Sequence, residues 1–162
     1  MSTIDDAKEF HMPTAQDRTD IIEAVTRLFW YVDVRDWNAL PTVFADPVVL
    51  DYTKIWGGEP MVRTPEQVGE EWSKLLGAFD ATQHLLGNHL VRVDGDRAVL
   101  TAVFQAIHLM SNPLGSPRWT LGGTYRIELA RSANDWLIDT VVMTPTWADG
   151  NKDILAQAAQ SW

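Results

Sequence analysis

The sequence of 162 residues contains no cysteine, few basic residues and no long apolar run. Without cysteine there is no disulfide framework, no thiolate metal site and no cysteine nucleophile. The 13 Lys and Arg stand against 22 Asp and Glu, a formal net charge of −9. This balance argues against nucleic acid or an anionic membrane surface as a partner, because both attract positive charge.

Signals for membrane insertion and for export are also missing. No stretch approaches the roughly 20 apolar residues of a membrane-spanning helix, and the first residues lack the basic start and apolar stretch of a signal peptide. Gly-rich phosphate loops, Gly-x-Ser-x-Gly turns and His-Glu-x-x-His runs are absent, which disfavours nucleotide-binding, serine-hydrolase and zinc-protease functions. We therefore expect a cytoplasmic protein that contacts neither nucleic acid nor membrane.

The length fits a single domain, and the aromatic content is unusual for one of this size. We expect a flexible segment at residues 1–13 and one domain over residues 14–162. Eight Trp is more aromatic surface than a small core normally uses. These side chains belong to the core, to an interface or to a pocket, and composition alone leaves the three open.

A helical pattern dominates the first third of the chain. Ile22, Val25, Phe29 and Val32 recur at helical spacing and predict a helix over about residues 14–35. A short second helix is expected from Asp36, a strand over about 48–52, and a third helix after Thr64-Pro65, which has the residues of a capping box.

The remainder of the chain predicts β-structure. Runs rich in Val, Ile, Thr and aromatic residues are separated by turn residues and lie at about 83–93, 98–110, 118–130 and 136–146. Helices followed by an antiparallel meander indicate the α+β class. A strongly curved sheet, wrapped as a cone around the long N-terminal helix, would leave a pocket at its open end.

Asp33 is the most informative single residue. It lies four residues after Phe29, on the same helix face as the apolar stripe, so its carboxylate points inward. Because an unpaired buried carboxylate is very costly, it requires a partner that donates a hydrogen bond or carries positive charge. The alternative is that Asp33 caps the next segment or forms a salt bridge with Arg35.

Four histidines are available as that partner. His11 lies in the N-terminal tail, and His84 and His89 differ by five within one strand, which predicts opposite faces of the sheet. His108 lies in a strand whose two faces are both largely apolar, so parity leaves its direction open. A lone histidine in such a strand is more often a core residue than a catalyst, but two of them with an inward Asp favour a site.

Four short segments, in this order and spacing, carry a resemblance to a known family. They read Tyr-Val-Asp-Val-Arg-Asp-Trp at 31–37, Leu-Asp-Tyr at 50–52, Thr-Gln-His-Leu-Leu-Gly-Asn at 82–88 and Leu-Gly-Gly-Thr-Tyr at 121–125. The chain resembles the SnoaL-like branch of the NTF2-like superfamily over about residues 15–147. Scytalone dehydratases and hexachlorocyclohexane dehydrochlorinases are closest in pattern. The resemblance implies a cone-shaped α+β barrel and a site without cofactor or metal.

The resemblance also implies roles for four residues. His84 would be the general base, and Asp33 would fix its tautomer and stabilise the imidazolium that forms. An imidazole has an unperturbed pKa of about 6.5, which suits it to proton transfer near neutral pH. Tyr52 and His108 match a pocket tyrosine and a second histidine, which could donate a proton to a leaving hydroxyl or hold an enolate oxygen.

Two departures from the dehydratase pattern argue against scytalone itself as the substrate. The tyrosine of the dehydratase's first helix falls at Val32, with Tyr31 one position away. Its serine and asparagine on the later strand fall near Gly123 and Tyr125. The acid/base pair is retained, so the chemistry is expected to persist with a different substrate.

Further side chains are candidates for the pocket or its mouth. If His108 points inward, strand parity turns Phe104 and Met110 inward with it. The full set of candidate substrate contacts is Tyr125, Phe104, Trp56, Trp30, Trp119, Met110, Met143 and Trp147. Each Trp has the alternative of core or interface.

The leading expectation is a cofactor-independent lyase or isomerase that removes a proton from carbon in a small hydrophobic, cyclic or polycyclic substrate. A second is a non-catalytic binding or assembly subunit, such as the β subunit of a ring-hydroxylating dioxygenase. A third is a non-heme iron site built from two histidines and a carboxylate. Family members form dimers or trimers, so a homodimer or homotrimer is expected.

Overall fold

The computed structural model describes residues 12–160. The predicted flexible segment at 1–13 lies almost wholly outside this range, as do His11 and Trp162. The helices are α1 (Ala15–Val34), α2 (Thr53–Trp56), α3 (Pro65–Leu75) and α4 (Asp153–Ala159), with 3-10 turns at Leu40–Val43 and Leu76–Ala78. The strands are β1 (Phe44–Asp51), β2 (Met61–Arg63), β3 (Ala81–Asp94), β4 (Arg97–Leu109), β5 (Arg118–Ser132) and β6 (Asp135–Gly150).

Helix α1 follows the predicted stripe closely. The side chain of Thr14 accepts a hydrogen bond from the backbone N–H of Asp17 and caps the N-terminus. The face that includes Val25, Phe29 and Val32 is buried against the sheet. The helix ends where Arg35 adopts a left-handed conformation with φ 62°. The apolar period therefore sets both the length of α1 and the face that packs on the sheet.

Helix α3 begins as its capping box predicts. The Thr64 hydroxyl accepts from the backbone N–H of Gln67, and the Gln67 side chain accepts from the backbone N–H of Thr64. Pro65 occupies the first helical position, where a missing N–H costs nothing. This start fixes where α3 lies beside β1 and the 3-10 turn that precedes β1.

A single six-stranded sheet has the order β2-β1-β6-β5-β4-β3. Strands β3 to β6 form the predicted antiparallel meander, and β1 pairs parallel to β6, so the sheet is mixed. Helix α1 packs against β3, β4 and β6, which confirms the α+β class with a long N-terminal helix held by the sheet. The structure adds α2, β2 and α4, which are too short to show a period in the sequence. No helix within residues 12–160 is long and apolar enough to cross a membrane.

A β-bulge in β3 overturns one parity prediction. The register with β4 shifts between Gly87 and Leu90, which reverses the alternation of the strand. Val91 is consequently buried on the face that carries His84 before the bulge. His84 and His89 therefore share a face, and the expectation of opposite faces is wrong. Strict alternation cannot reveal an inserted residue.

The outer face of the sheet, away from α1, has an uncharged band. Paired residues across β3 to β6 form two neighbouring rows there: Leu85, Gln105, Gly122 and Trp147, then Gly87, Val103, Thr124 and Thr144. Charged side chains lie elsewhere on this sheet, where Arg97 pairs with Asp139 and Glu128. In a chain of net charge −9, an uncharged band is the surface on which two copies can meet with least repulsion.

We expect this band to hold a homodimer or homotrimer together. Val103, 43% exposed, lies in it, so Val103→Lys should shift the protein towards monomer because the interface would have to bury a charge. Leu114→Lys is the matched control, since Leu114 is exposed in the loop between β4 and β5. Light scattering after size exclusion measures both. An unchanged mass for Val103→Lys would contradict the assignment.

Candidate active site

A cavity of about 450 Å³ opens between α1 and the concave face of the sheet. Phe29 and Val32 contribute the wall from α1, and Phe104 contributes from β4. Leu155 of α4 and Trp72 of α3 also line it, so helices outside the α1–sheet pair complete the wall. Most of the lining is apolar, and the few polar groups are therefore the ones that can orient a ligand.

The Asp33 carboxylate lies beside the cavity with three donors around it. The backbone N–H of His84 donates to Oδ2 at 2.7 Å, and the Thr82 hydroxyl donates to Oδ1 at 3.0 Å. The Nδ1 of His84 lies 2.7 Å from Oδ1. The Arg35 guanidinium instead donates to the carbonyl of Phe79, so the alternative of an Asp33–Arg35 pair does not occur.

This arrangement fixes the tautomer of His84. An ionised carboxylate only accepts hydrogen bonds, so the proton of a neutral His84 ring lies on Nδ1, and Nε2 carries the free lone pair. The ring packs against Phe29 at 5.2 Å between centroids and lines the cavity. The side chains of His84 and Asp33 are only 8% and 19% exposed. A base with a defined orientation thus faces a largely apolar cavity.

His108 is the second histidine of the cavity. Its ring lies 6.0 Å from that of His84, nearly perpendicular at 83°, and its Nδ1 lies 3.4 Å from the carbonyl oxygen of Trp119. Burial first, and then the repulsion that a protonated His84 ring would exert, lowers the pKa of His108 to about 4. At neutral pH His108 is therefore uncharged with its N–H directed to a carbonyl. That geometry supports an accepting role for Nε2, not the proton-donating role expected from the resemblance.

The lowered pKa of His108 predicts a stability loss in acid. The unfolded state takes up a proton near pH 6.5 and the folded state only near pH 4, so stability is full above pH 6.5 and falls until about pH 4. The contribution is about 3 kcal/mol. In urea unfolding across this range, His108→Gln should show a shallower pH dependence than the wild type. Equal slopes would show that His108 is not buried as a neutral ring.

Tyr52 and Tyr125 bring two phenol groups to the cavity. Burial raises the pKa of Tyr52 above its ordinary value, and burial together with Tyr52 raises the pKa of Tyr125 well above it. The two hydroxyls also interact with each other, and this interaction lowers the pKa of Tyr52 and raises that of Tyr125. The ring of Tyr125 packs on Phe104 at 4.4 Å. Both phenols therefore remain protonated and able to donate hydrogen bonds at neutral pH.

The structure brings most of the predicted pocket residues to one cavity. In addition to His84, His108, Tyr52, Tyr125 and Phe104, it is lined by Trp56, Trp119 and Met143. Asp33 acts from behind His84. The prediction that His108 and Phe104 point inward is confirmed, because both side chains are buried together with Ala102 and Ala106 on the same strand face.

Three predicted contacts are wrong, because their side chains do not line this cavity. Trp30 is 62% exposed on the solvent side of α1, and its neighbour Phe29 takes the inward direction. Met110 lies one residue beyond the end of β4, where strand alternation no longer applies. Trp147 covers Gly122 on the outer face of the sheet.

Several lining residues were missed by sequence reasoning. Glu59 precedes the short strand β2, Met61 begins it, and Leu155 belongs to α4; neither element was predicted from the sequence. Glu71 and Trp72 belong to the predicted third helix, and neither was among the predicted pocket residues. The sequence pattern of a capped amphipathic helix predicts which face is buried, but it does not reveal whether that face borders a cavity.

The iron alternative finds no support in the arrangement of ligands. Within residues 12–160, no three His, Cys, Asp or Glu side chains are placed to hold a metal ion. Asp33 uses Oδ1 to hold Nδ1 of His84, and the perpendicular His108 ring directs Nδ1 to a carbonyl.

The fold and site define an α+β domain with a largely apolar cavity lined by His84, which is paired with Asp33. The chain belongs to the SnoaL-like family: the sequence pattern of the SnoaL-like domain matches residues 13–142. Uncharacterized protein Rv2910c of Mycobacterium tuberculosis is 31% identical over 99 residues, which are 60% of this chain and 65% of that protein. The match therefore spans just under two thirds of the curated relative.

Solved structures agree on the fold. Kfla4162 of Kribbella flavida is 31% identical with a TM-score of 0.82, covering 88% of this chain and 97% of that one. A candidate scytalone dehydratase of Novosphingobium aromaticivorans has a TM-score of 0.70 at 16% identity, covering 84% and 88%. A type 2 hexachlorocyclohexane dehydrochlorinase has a TM-score of 0.71 at 15% identity, covering 84% and 89%. At these low identities the last two similarities concern the fold alone.

Proposed function

We propose that the protein is a cofactor-independent lyase or isomerase that removes a proton from carbon in a small hydrophobic ring compound. The carrying observation is the Asp33–His84 pair, in which Nδ1 of His84 faces the Asp33 carboxylate while the ring lines a largely apolar cavity. A base placed in this way can act on a weakly acidic C–H bond only if the cavity also stabilises the charge that forms.

The residues of the cavity supply both parts of that chemistry. Nε2 of His84 takes the proton as the C–H bond breaks, and Asp33 stabilises the imidazolium. The electron pair left on carbon either expels a leaving group β to it or moves into an adjacent carbonyl. Tyr52 donates a hydrogen bond to the oxygen that gains charge. In an isomerisation, the imidazolium returns the proton to another carbon.

Apolar walls favour this division of roles. Phe29 and Phe104 flank the site and limit the access of water, which strengthens the hydrogen bonds to a developing oxyanion. A cavity of about 450 Å³ suits a compound of two or three rings. The names of the structural neighbours, a candidate dehydratase and a dehydrochlorinase, belong to the same reaction class.

Hydrogen–deuterium exchange tests the proposal without knowledge of the natural substrate. The probe is 2-tetralone, a two-ring ketone with acidic α-protons, incubated in D₂O and followed by mass spectrometry. The wild-type protein should accelerate exchange over buffer, and His84→Gln should not. His89→Gln is the control, because His89 does not line the cavity, and this variant should accelerate exchange as much as the wild type does. Equal rates for the wild type and His84→Gln would refute the proposal.

A non-catalytic assembly subunit would need no open cavity. A pocket filled by side chains would favour that alternative, and the cavity beside His84 is open. The open cavity therefore argues against a purely structural assembly subunit. The imidazole beside a carboxylate at that cavity favours an enzyme over a module that only binds.

A further inference from the structure

The charged residues of the cavity are confined to its mouth, the rim formed by Trp56, Glu59 and Glu71. Within residues 12–160, no Lys or Arg lines the cavity, and these two glutamates are its only Asp or Glu. An anionic ligand would therefore meet two carboxylates on the cavity wall and no cation that lines it. Substrates with a carboxylate, a phosphate or a sulfate are disfavoured by this arrangement.

The two carboxylates of the mouth differ in their surroundings. Glu71 accepts from Nε of Arg63 at 2.7 Å, so its charge is largely balanced. Glu59 is exposed and has no ion pair or hydrogen bond with any residue in the described range 12–160. It follows the Gly57-Gly58 turn, where φ is 73° and 74°, conformations that glycine adopts without strain. The uncompensated negative charge of the rim is that of Glu59.

An aromatic surface stands beside this carboxylate. Trp56 is 48% exposed and lines the same cavity, as do Trp72 and Tyr52 behind it, whose rings meet edge-on at 6.0 Å. An exposed indole face attracts a cation through its quadrupole, and a carboxylate adds to that attraction. The net charge of −9 acts in the same direction at longer range.

We infer that the mouth selects ring compounds that carry a protonated amine, with the amine between Trp56 and Glu59 and the rings in the apolar cavity. This inference rests on the proposed function, since it assigns the class of substrate that reaches His84. Glu59 is then a specificity-determining residue: it binds the end of the ligand remote from the reacting carbon. Glu71, balanced by Arg63, contributes less.

Three matched naphthalene probes test the inference by calorimetry at low salt. They are 1-naphthylmethylamine, 1-naphthylmethanol and 1-naphthylacetate, which are cationic, neutral and anionic at pH 7. The amine should bind the wild-type protein about tenfold more tightly than the alcohol, and the carboxylate should bind most weakly. Glu59→Gln should reduce the preference for the amine, and Glu59→Lys should reverse it.

Glu66→Gln is the matched control, because Glu66 is exposed in the first turn of α3 and does not line the cavity. It removes the same charge from the chain and should leave the order of the probes unchanged. Equal effects of Glu59→Gln and Glu66→Gln, or equal binding of the three probes, would overturn the inference while leaving the proposed function in place. Failure of all three to bind would also overturn the inference, and the exchange of deuterium into 2-tetralone would then decide the proposed function separately.

Discussion

His84→Gln is expected to reduce protein-catalysed exchange of carbon-bound protons by about 10³-fold, within the range that a positioned general base contributes. Glutamine has nearly the size of histidine and can still accept from its surroundings, but its side chain has no nitrogen lone pair that takes up a proton near neutral pH. The rate of deuterium incorporation measures the loss. Circular dichroism and urea unfolding show whether the variant keeps the fold.

Asp33→Asn should cause a loss of similar size by a different route. An Asn at this position can place its NH₂ group towards Nδ1 of His84, which moves the ring proton to Nε2 and removes the base from the cavity. The carboxylate also stabilises the imidazolium, and the amide does not. Thr82→Val removes only one hydrogen bond to Oδ1 of Asp33, so it should cost about tenfold or less.

These variants separate the catalytic pair from a structural pair. A buried ion pair that serves the fold alone would lower stability in Asp33→Asn without changing the dependence of exchange on pH. The proposed base requires that the loss of rate in both variants exceed any loss explained by unfolded protein. Full exchange activity in either folded variant would refute the mechanism.

The sequence predicts the helix that carries Asp33 better than it predicts the partner of Asp33. The stripe of α1 predicts an inward carboxylate, because a helical period relates near neighbours. The contact with His84 joins residues 51 positions apart, and no local pattern encodes it. Only the resemblance suggested that pair, and the structure places the two side chains within hydrogen-bond distance.

Other features escape sequence reasoning for the same physical reason. The bulge after Gly87 inserts a residue without changing composition, so strand parity failed at His89. The Trp residues of the described range 12–160 divide among different environments: Trp56 and Trp119 line the cavity, whereas Trp30 and Trp147 are exposed outside it. Residue type shows that a Trp needs apolar surface, and only the packing shows which surface it finds.

Gly123→Ala is expected to destabilise the protein by about 3 kcal/mol. A Cβ at Gly123 would overlap the backbone carbonyl of Thr144 and lie 2.8 Å from Cα of Pro145. Both atoms belong to β6, which is paired to β5 across a register shift between Gly122 and Gly123. Because the backbone atoms of a paired strand cannot rotate out of the contact as a side chain can, β5 and β6 must separate locally to admit the methyl group.

Gly122→Ala is the matched comparison, since it adds the same methyl group one residue earlier. Its Cβ would overlap the indole of Trp147, a side chain that can change rotamer more readily than the backbone of a paired strand can move, so we expect about 1 kcal/mol. Trp147→Ala should abolish the cost of Gly122→Ala and leave that of Gly123→Ala unchanged. Urea unfolding of the single and double variants measures these differences. If Gly122→Ala and Gly123→Ala lowered the free energy of unfolding equally, the backbone of β6 would move aside as easily as the Trp147 side chain, and the prediction would be wrong.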